Sequence, residues 1–131
     1  MKKLVTGAAI VVASVGTLLA GTAAPAQAYS SNYGAIAVDL SSETYGYSYD
    51  YSSASEAEAA AETQCRTHGG GYGCTAKISW RNGCGALSVS RNYWAYGSGA
   101  TVGRARSKAL SNNPGSGAYI LHWNCTSGYG L

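Results

Sequence analysis

Trp80-Arg81-Asn82-Gly83-Cys84-Gly85-Ala86-Leu87 is the stretch on which the reading of this chain turns. It closes one run of alternating residues, passes through Asn-Gly, and opens a second run. Asn-Gly between two strand-like runs is a strong short hairpin signal, because a type I′ turn needs φ > 0 at both central residues. The joint is therefore expected to be a two-residue hairpin. Before it, Cys74, Ala76, Ile78 and Trp80 alternate with Thr75, Lys77 and Ser79, which puts the first set on one face of a strand. After it, Cys84-Gly85-Ala86-Leu87-Ser88-Val89 restates Tyr33-Gly34-Ala35-Ile36-Ala37-Val38.

The echo extends outward. Residues 53–61 match 101–109, and Ala76-Lys77-Ile78-Ser79-Trp80 matches Tyr119-Ile120-Leu121-His122-Trp123. Each half reads strand, strand, helix, strand. The expected fold is α+β: a tandem pseudo-repeat of two ββαβ units, about 33–82 and 84–125, with antiparallel sheet or sheets and two Ala-rich helices.

Both helices announce their starts. Ser53-Ala54-Ser55-Glu56 is a capping box opening a helix through about Thr67, and Thr101 caps the second. Ala57, Ala60, Ala61 and Gln64 form one stripe, so the first helix should approach its sheet closely. Glu56, Glu58 and Glu62 are expected to face away. Val102, Ala105 and Ala109 make the matching stripe. Tyr119, Leu121 and Trp123 then alternate on the last strand, with Cys125 continuing their face and His122 opposed to it.

Lys2 and Lys3, the apolar run from Leu4 to Ala20, and Ala26-Gln27-Ala28 have the form of a secretory signal peptide over residues 1–28. Residues 29–131 would then be one exported domain, with no transmembrane segment left after cleavage. Export favours disulfides between the four cysteines. Three pairings are open; the favoured one is Cys65–Cys74 with Cys84–Cys125, stapling the first helix to the next strand and the second half to itself. The spacing lacks a paired C-x-x-C, so no metal site is expected.

Tyr45, Tyr47, Tyr49 and Tyr51 recur at every second position in a chain of eleven tyrosines and no phenylalanine. On one strand all four rings share a face. Such a stripe can pack beneath a loop or helix, or it can stay open as a platform for a cell-envelope glycan or another protein. All six acids lie at or before Glu62, whereas residues 84–131 carry Arg91, Arg104, Arg106 and Lys108 and no acid. Loss of Lys2 and Lys3 would lower the formal charge from +3 to +1, too weak a field for a nucleic-acid partner.

No G-x-S-x-G elbow or H-E-x-x-H helix is present, and the sequence nominates no catalytic residue and no cofactor. His68 and His122 are the only histidines. Three functions stay in view: a small secreted binding module, a small secreted hydrolase using His68 or His122 with a carboxylate, and a secreted inhibitor or toxin-like factor.

Tyr33-Gly34-Ala35-Ile36-Ala37, residues 55–60 and Arg81-Asn82-Gly83-Cys84-Gly85-Ala86-Leu87 resemble a bacterial secreted family, domain of unknown function 4189. The likeness runs from about Tyr33 to Cys125. It implies a small exported domain with cysteines after the first helix and at the central joint. Many members also carry a cysteine pair after the second helix, where this chain has Asn113 and Gly117. No catalytic residue follows from the resemblance.

Overall fold

A computed structural model describes residues 31–129; the expected signal peptide lies outside the described residues. The elements are β1 (Tyr33–Asp39), β2 (Thr44–Tyr51), α1 (Ala54–Thr67), β3 (Thr75–Arg81), β4 (Cys84–Val89), β5 (Trp94–Gly99), α2 (Val102–Ser111) and β6 (Tyr119–Cys125). They form two antiparallel three-stranded sheets, ordered β2-β1-β3 and β5-β4-β6.

The central strands explain the layering. β1 and β4 are buried along almost their whole length, so both faces must be covered. Ala35 and Ala37 pack on Ala57, Ala61 and Cys65 of α1. Ala86 packs on Ala105 and Ala109 of α2. Ile36 and Val38, on the other face of β1, meet Leu87 of β4 and Trp80 of β3. The layers therefore run α1, first sheet, second sheet, α2, with alanine under each helix and the large side chains between the sheets. Two buried hydroxyls tie sheet to helix: Ser48 donates to the Ala57 carbonyl at 2.6 Å and Ser88 to that of Ala109 at 2.7 Å.

Both helices start at the expected caps, although the Glu56 carboxylate accepts from the Ser52 hydroxyl and, among the described residues, returns no bond to the Ser53 N–H. Ser53 and Thr101 accept from the backbone N–H of Glu56 and Arg104. Glu62, however, does not face away. Its carboxylate accepts the backbone N–H of Ala76 on β3 at 2.8 Å.

The expected hairpin at Asn82-Gly83 does not form. β3 pairs with β1, whereas β4 pairs with β5 and β6. Asn82 and Gly83 belong to different sheets. The Asn82 N–H donates to the Asn32 carbonyl at 2.8 Å, and the Asn82 side chain accepts the Asn32 N–H at 2.9 Å. Gly83 instead exchanges bonds with Thr126, just past β6. The chain thus crosses between layers within one peptide unit. Asn82 takes the left-handed conformation at φ 50°, which asparagine tolerates, but Gly83 is not among the positive-φ glycines. A side chain at Gly83 would meet the Gly99 carbonyl.

Three register shifts redistribute side chains that simple alternation puts together. The shift in the β1–β3 pairing at Ile36/Ala37 leaves Ile78 and Trp80 between the sheets while Ala76 pairs with Ala37 of the helix-facing row. The shift in the β4–β6 pairing at Leu87/Ser88 has the same result on β6: Ile120 packs with the α2 cluster, and His122 pairs with Leu87 of the inter-sheet row. Tyr119, Leu121 and Trp123 therefore do not share a face. The third shift lies in β2. An inserted residue is the physical cause in each case, since it inverts every position beyond it.

The cysteines form Cys65–Cys74 and Cys84–Cys125, and none is free. Asn113 is buried at the end of α2. Its side chain donates to Ser88 Oγ and to the Tyr93 carbonyl and accepts from Ser90 Oγ and the Gly115 N–H. A hydrogen-bonded amide thus anchors this corner, where the resemblance leads one to look for a disulfide.

Candidate functional site

The four tyrosines of β2 separate into two pairs. Tyr45 and Tyr47 are half-buried and pack on the inter-sheet cluster. Tyr49 and Tyr51 are 51% and 40% exposed. A bulge accounts for Tyr51: Tyr33 pairs with Tyr51 but Ala35 pairs with Ser48, with Asp50 at φ 64° absorbing the extra residue. Tyr51 thus lies opposite Tyr33, which packs on the helix side. The expected single face of four rings is broken at Asp50.

An open groove of about 750 Å³ runs beside the exposed pair, lined by Tyr47, Ser48, Tyr49 and Tyr51 of β2 and by Ala59, Ala60, Thr63 and Gln64 of α1. The helix contributes small residues here, which keeps the groove wide. Gln64 has a second task. Its Oε1 accepts the backbone N–H of Tyr47 at 2.6 Å and so closes the outer edge of β2. Asp50 is engaged as well, its carboxylate accepting the N–H and hydroxyl of Ser127.

His122 lies behind the inner pair. Its ring is 5.2 Å from that of Tyr45 and 4.3 Å from that of Tyr47, and its Nε2 is 3.2 Å from Asn124 Oδ1. Asn124 in turn donates to the Ser48 carbonyl at 3.0 Å, joining the two sheets. Burial holds the imidazole pKa below its ordinary value of 6.5, and the Asn124 bond offsets part of that shift. The lowered folded value means the unfolded chain takes up the proton first on acidification. Stability from this site is therefore complete above about pH 6.5 and drains as pH falls toward the folded pKa. We expect the urea midpoint to fall between pH 7.5 and 5.5, and His122→Leu to flatten that slope. An unchanged slope in the variant would remove His122 as its origin.

His68 is exposed at the C-cap of α1 and shares a small cavity of about 350 Å³ with Glu43, Thr44, Tyr45, Tyr47 and Gln64. Among the described residues the sole ion pair is Glu62–Arg66 at 3.8 Å, so neither histidine pairs with a carboxylate. Asp39 is committed to structure. Its carboxylate accepts from the Gly71 N–H and from the Ser41 hydroxyl and N–H, in that order the bonds that hold its pKa far below the usual 3.8. This anchors the glycine loop, residues 68–74 with Gly69, Gly70, Gly71 and Gly73, that Cys65–Cys74 closes. No group of three or more His, Cys, Asp or Glu suited to a metal occurs among the described residues. No helix among them is long and apolar enough to cross a membrane.

The bulge at Asp50 and the inward turn of His122 were not signalled by residue type. The groove had a partial signal in the small Ala59-Ala60 pair beside Thr63 and Gln64.

The NMR structure of Rv1813c from Mycobacterium tuberculosis is similar to this chain: 27% identity, 72% of this chain and 74% of that chain covered, TM-score 0.55. Comparison with curated proteins gives no match. Residues 33–125 match the family described as "Domain of unknown function (DUF4189)", and the chain belongs to that family.

Proposed function

We propose that this protein is a secreted, non-enzymatic binding module of the cell envelope or extracellular space, and that Tyr49 and Tyr51 with the α1 groove contact a cell-envelope glycan. The observation that carries the reading is the exposure of two neighbouring tyrosine rings beside an open groove. A tyrosine ring offers an apolar face for the C–H side of a sugar and a hydroxyl for its polar rim. Thr63 and Gln64 add polar groups along the same wall. Two disulfides fit a domain made for an oxidising compartment, in keeping with a signal peptide over residues 1–28.

The same reading includes an internal duplication of ββαβ units at about 33–82 and 84–125. Its support is the matching sheet order and the matching hydroxyl caps of the two helices.

Sedimentation with insoluble peptidoglycan tests the site. Tyr49→Ala and Tyr51→Ala should each weaken retention by on the order of 1–3 kcal/mol, the scale of stacking on aromatic side chains, with the thermal midpoint nearly unchanged. Tyr47 is unsuited to this test because its ring also packs against His122. A double variant that is retained as before, or that unfolds, removes the groove as the binding surface.

A further inference from the structure

Three of the four outer sheet edges are closed by a side chain from the adjacent helix. Gln64 accepts the Tyr47 N–H on β2, Glu62 accepts the Ala76 N–H on β3, and Asn112 donates to the Tyr96 carbonyl on β5. Closing an edge in this way prevents a further strand from adding to it. β6 is the exception: among the described residues, no side chain bonds to its backbone. The residue that would do so can be identified by position. Glu62 stands nine residues after the N-cap Ser53, and nine residues after the N-cap Thr101 stands Leu110. Leucine has no acceptor, so the Ile120 N–H, which follows the register shift as that of Ala76 does, has no such cap. Alternation along the strand also directs the backbone of Trp123 outward, because Tyr96, across β4, bonds outward to Asn112.

The side chains at this edge are apolar and open. Tyr119 is 58%, Leu121 37% and Trp123 44% exposed. A hollow of about 330 Å³ is lined by Arg106 together with Ile120, Leu121, His122 and Trp123. Residues 84–131 contain no acid to neutralise that guanidinium. At the opposite end, beside Tyr119 and Leu121, Glu43 is accompanied by Arg91, and beyond Cys125 the Asp50 carboxylate is taken up by Ser127, so Arg106 is the charge that faces the hollow.

We infer that the outer edge of β6 is a docking site for an extended acidic peptide segment, which adds to the second sheet as a fourth strand. Main-chain bonds to β6 supply the attachment, the apolar side chains of β6 supply pockets for alternate peptide residues, and Arg106 selects for acid. This surface is separate from the tyrosine groove and does not depend on it.

An acetylated heptapeptide alternating valine and glutamate, titrated into ¹⁵N-labelled protein, is the probe. Saturable amide shifts are expected at Ile120, Trp123 and Cys125, with the lysine-for-glutamate peptide binding about tenfold more weakly. Leu110→Gln supplies the missing acceptor at an exposed helix position and should abolish binding with the spectrum otherwise intact. Arg106→Gln should erase the preference for glutamate and leave residual binding. Four results would overturn the inference: no saturable shifts, shifts confined to residues 45–51, unaltered binding by Leu110→Gln, or dilution-dependent shifts at β6 without peptide. The last would assign the edge to a second copy of the chain.

Discussion

Trp80→Ala is expected to lower stability by about 3–5 kcal/mol, the usual cost of emptying a buried aromatic site. Trp80 is the penultimate residue of β3 and extends between the sheets, where its ring covers Gly34 of β1 and Gly85 of β4. Those two glycines leave the space its six-membered ring occupies; a Cβ at either would overlap the indole. The ring bridges the central strands of both sheets, so its loss opens a cavity between the sheets. Trp80→Phe should cost distinctly less. The indole Nε1 is buried without a partner among the described residues, and phenylalanine removes that unpaired donor along with part of the ring. Gly85→Val should be as harmful as Trp80→Ala, since it approaches the same contact from the other side. Urea denaturation of the three variants gives the order, and a Trp80→Ala midpoint near that of the parent would deny the ring its central role.

Loss of Cys84–Cys125 comes next in size. The bridge closes a loop with a sequence separation of 41, against 9 for Cys65–Cys74. Chain entropy makes the first worth about 4 kcal/mol and the second about 2.7 kcal/mol. The longer bridge joins paired residues at the ends of β4 and β6, so its removal frees the whole second sheet in the unfolded chain. Cys84→Ala with Cys125→Ala should therefore lower the urea midpoint more than Cys65→Ala with Cys74→Ala. The opposite order would mean that the glycine loop, also held by Asp39, depends on its bridge more than the second sheet does.

Local signals in the sequence determined the helices and much of what covers them. Ser53 and Thr101 are caps whose bonds span three residues, so the information needed to form them lies within one turn. The alanine stripes specify close helix-to-sheet packing by volume alone, and Ala57, Ala61, Ala105 and Ala109 are all buried. The strand pattern and the cysteine pairing were equally legible, because β4 and β6 need only be antiparallel neighbours to bring Cys84 to Cys125.

Partner choice was decided by the tertiary structure. Asn82-Gly83 carries the chemistry of a hairpin, yet β3 finds its bonds on β1 and β4 finds its own on β5 and β6. The turn residues permit a reversal but cannot enforce one when each strand has a better neighbour far along the chain. The inserted residues in β2, β3 and β6 are silent for a related reason: alternation reads the same on either side of a bulge, and only the opposite strand reveals the extra residue. That ambiguity governed the candidate site. Four tyrosines at even spacing became two rings against His122 and two exposed rings beside α1, and the extra residue at Asp50 turns Tyr51 away from the face that Tyr45 and Tyr47 share. Sequence spacing assigns a residue to a strand, whereas the face it occupies depends on a register that only the folded sheet defines.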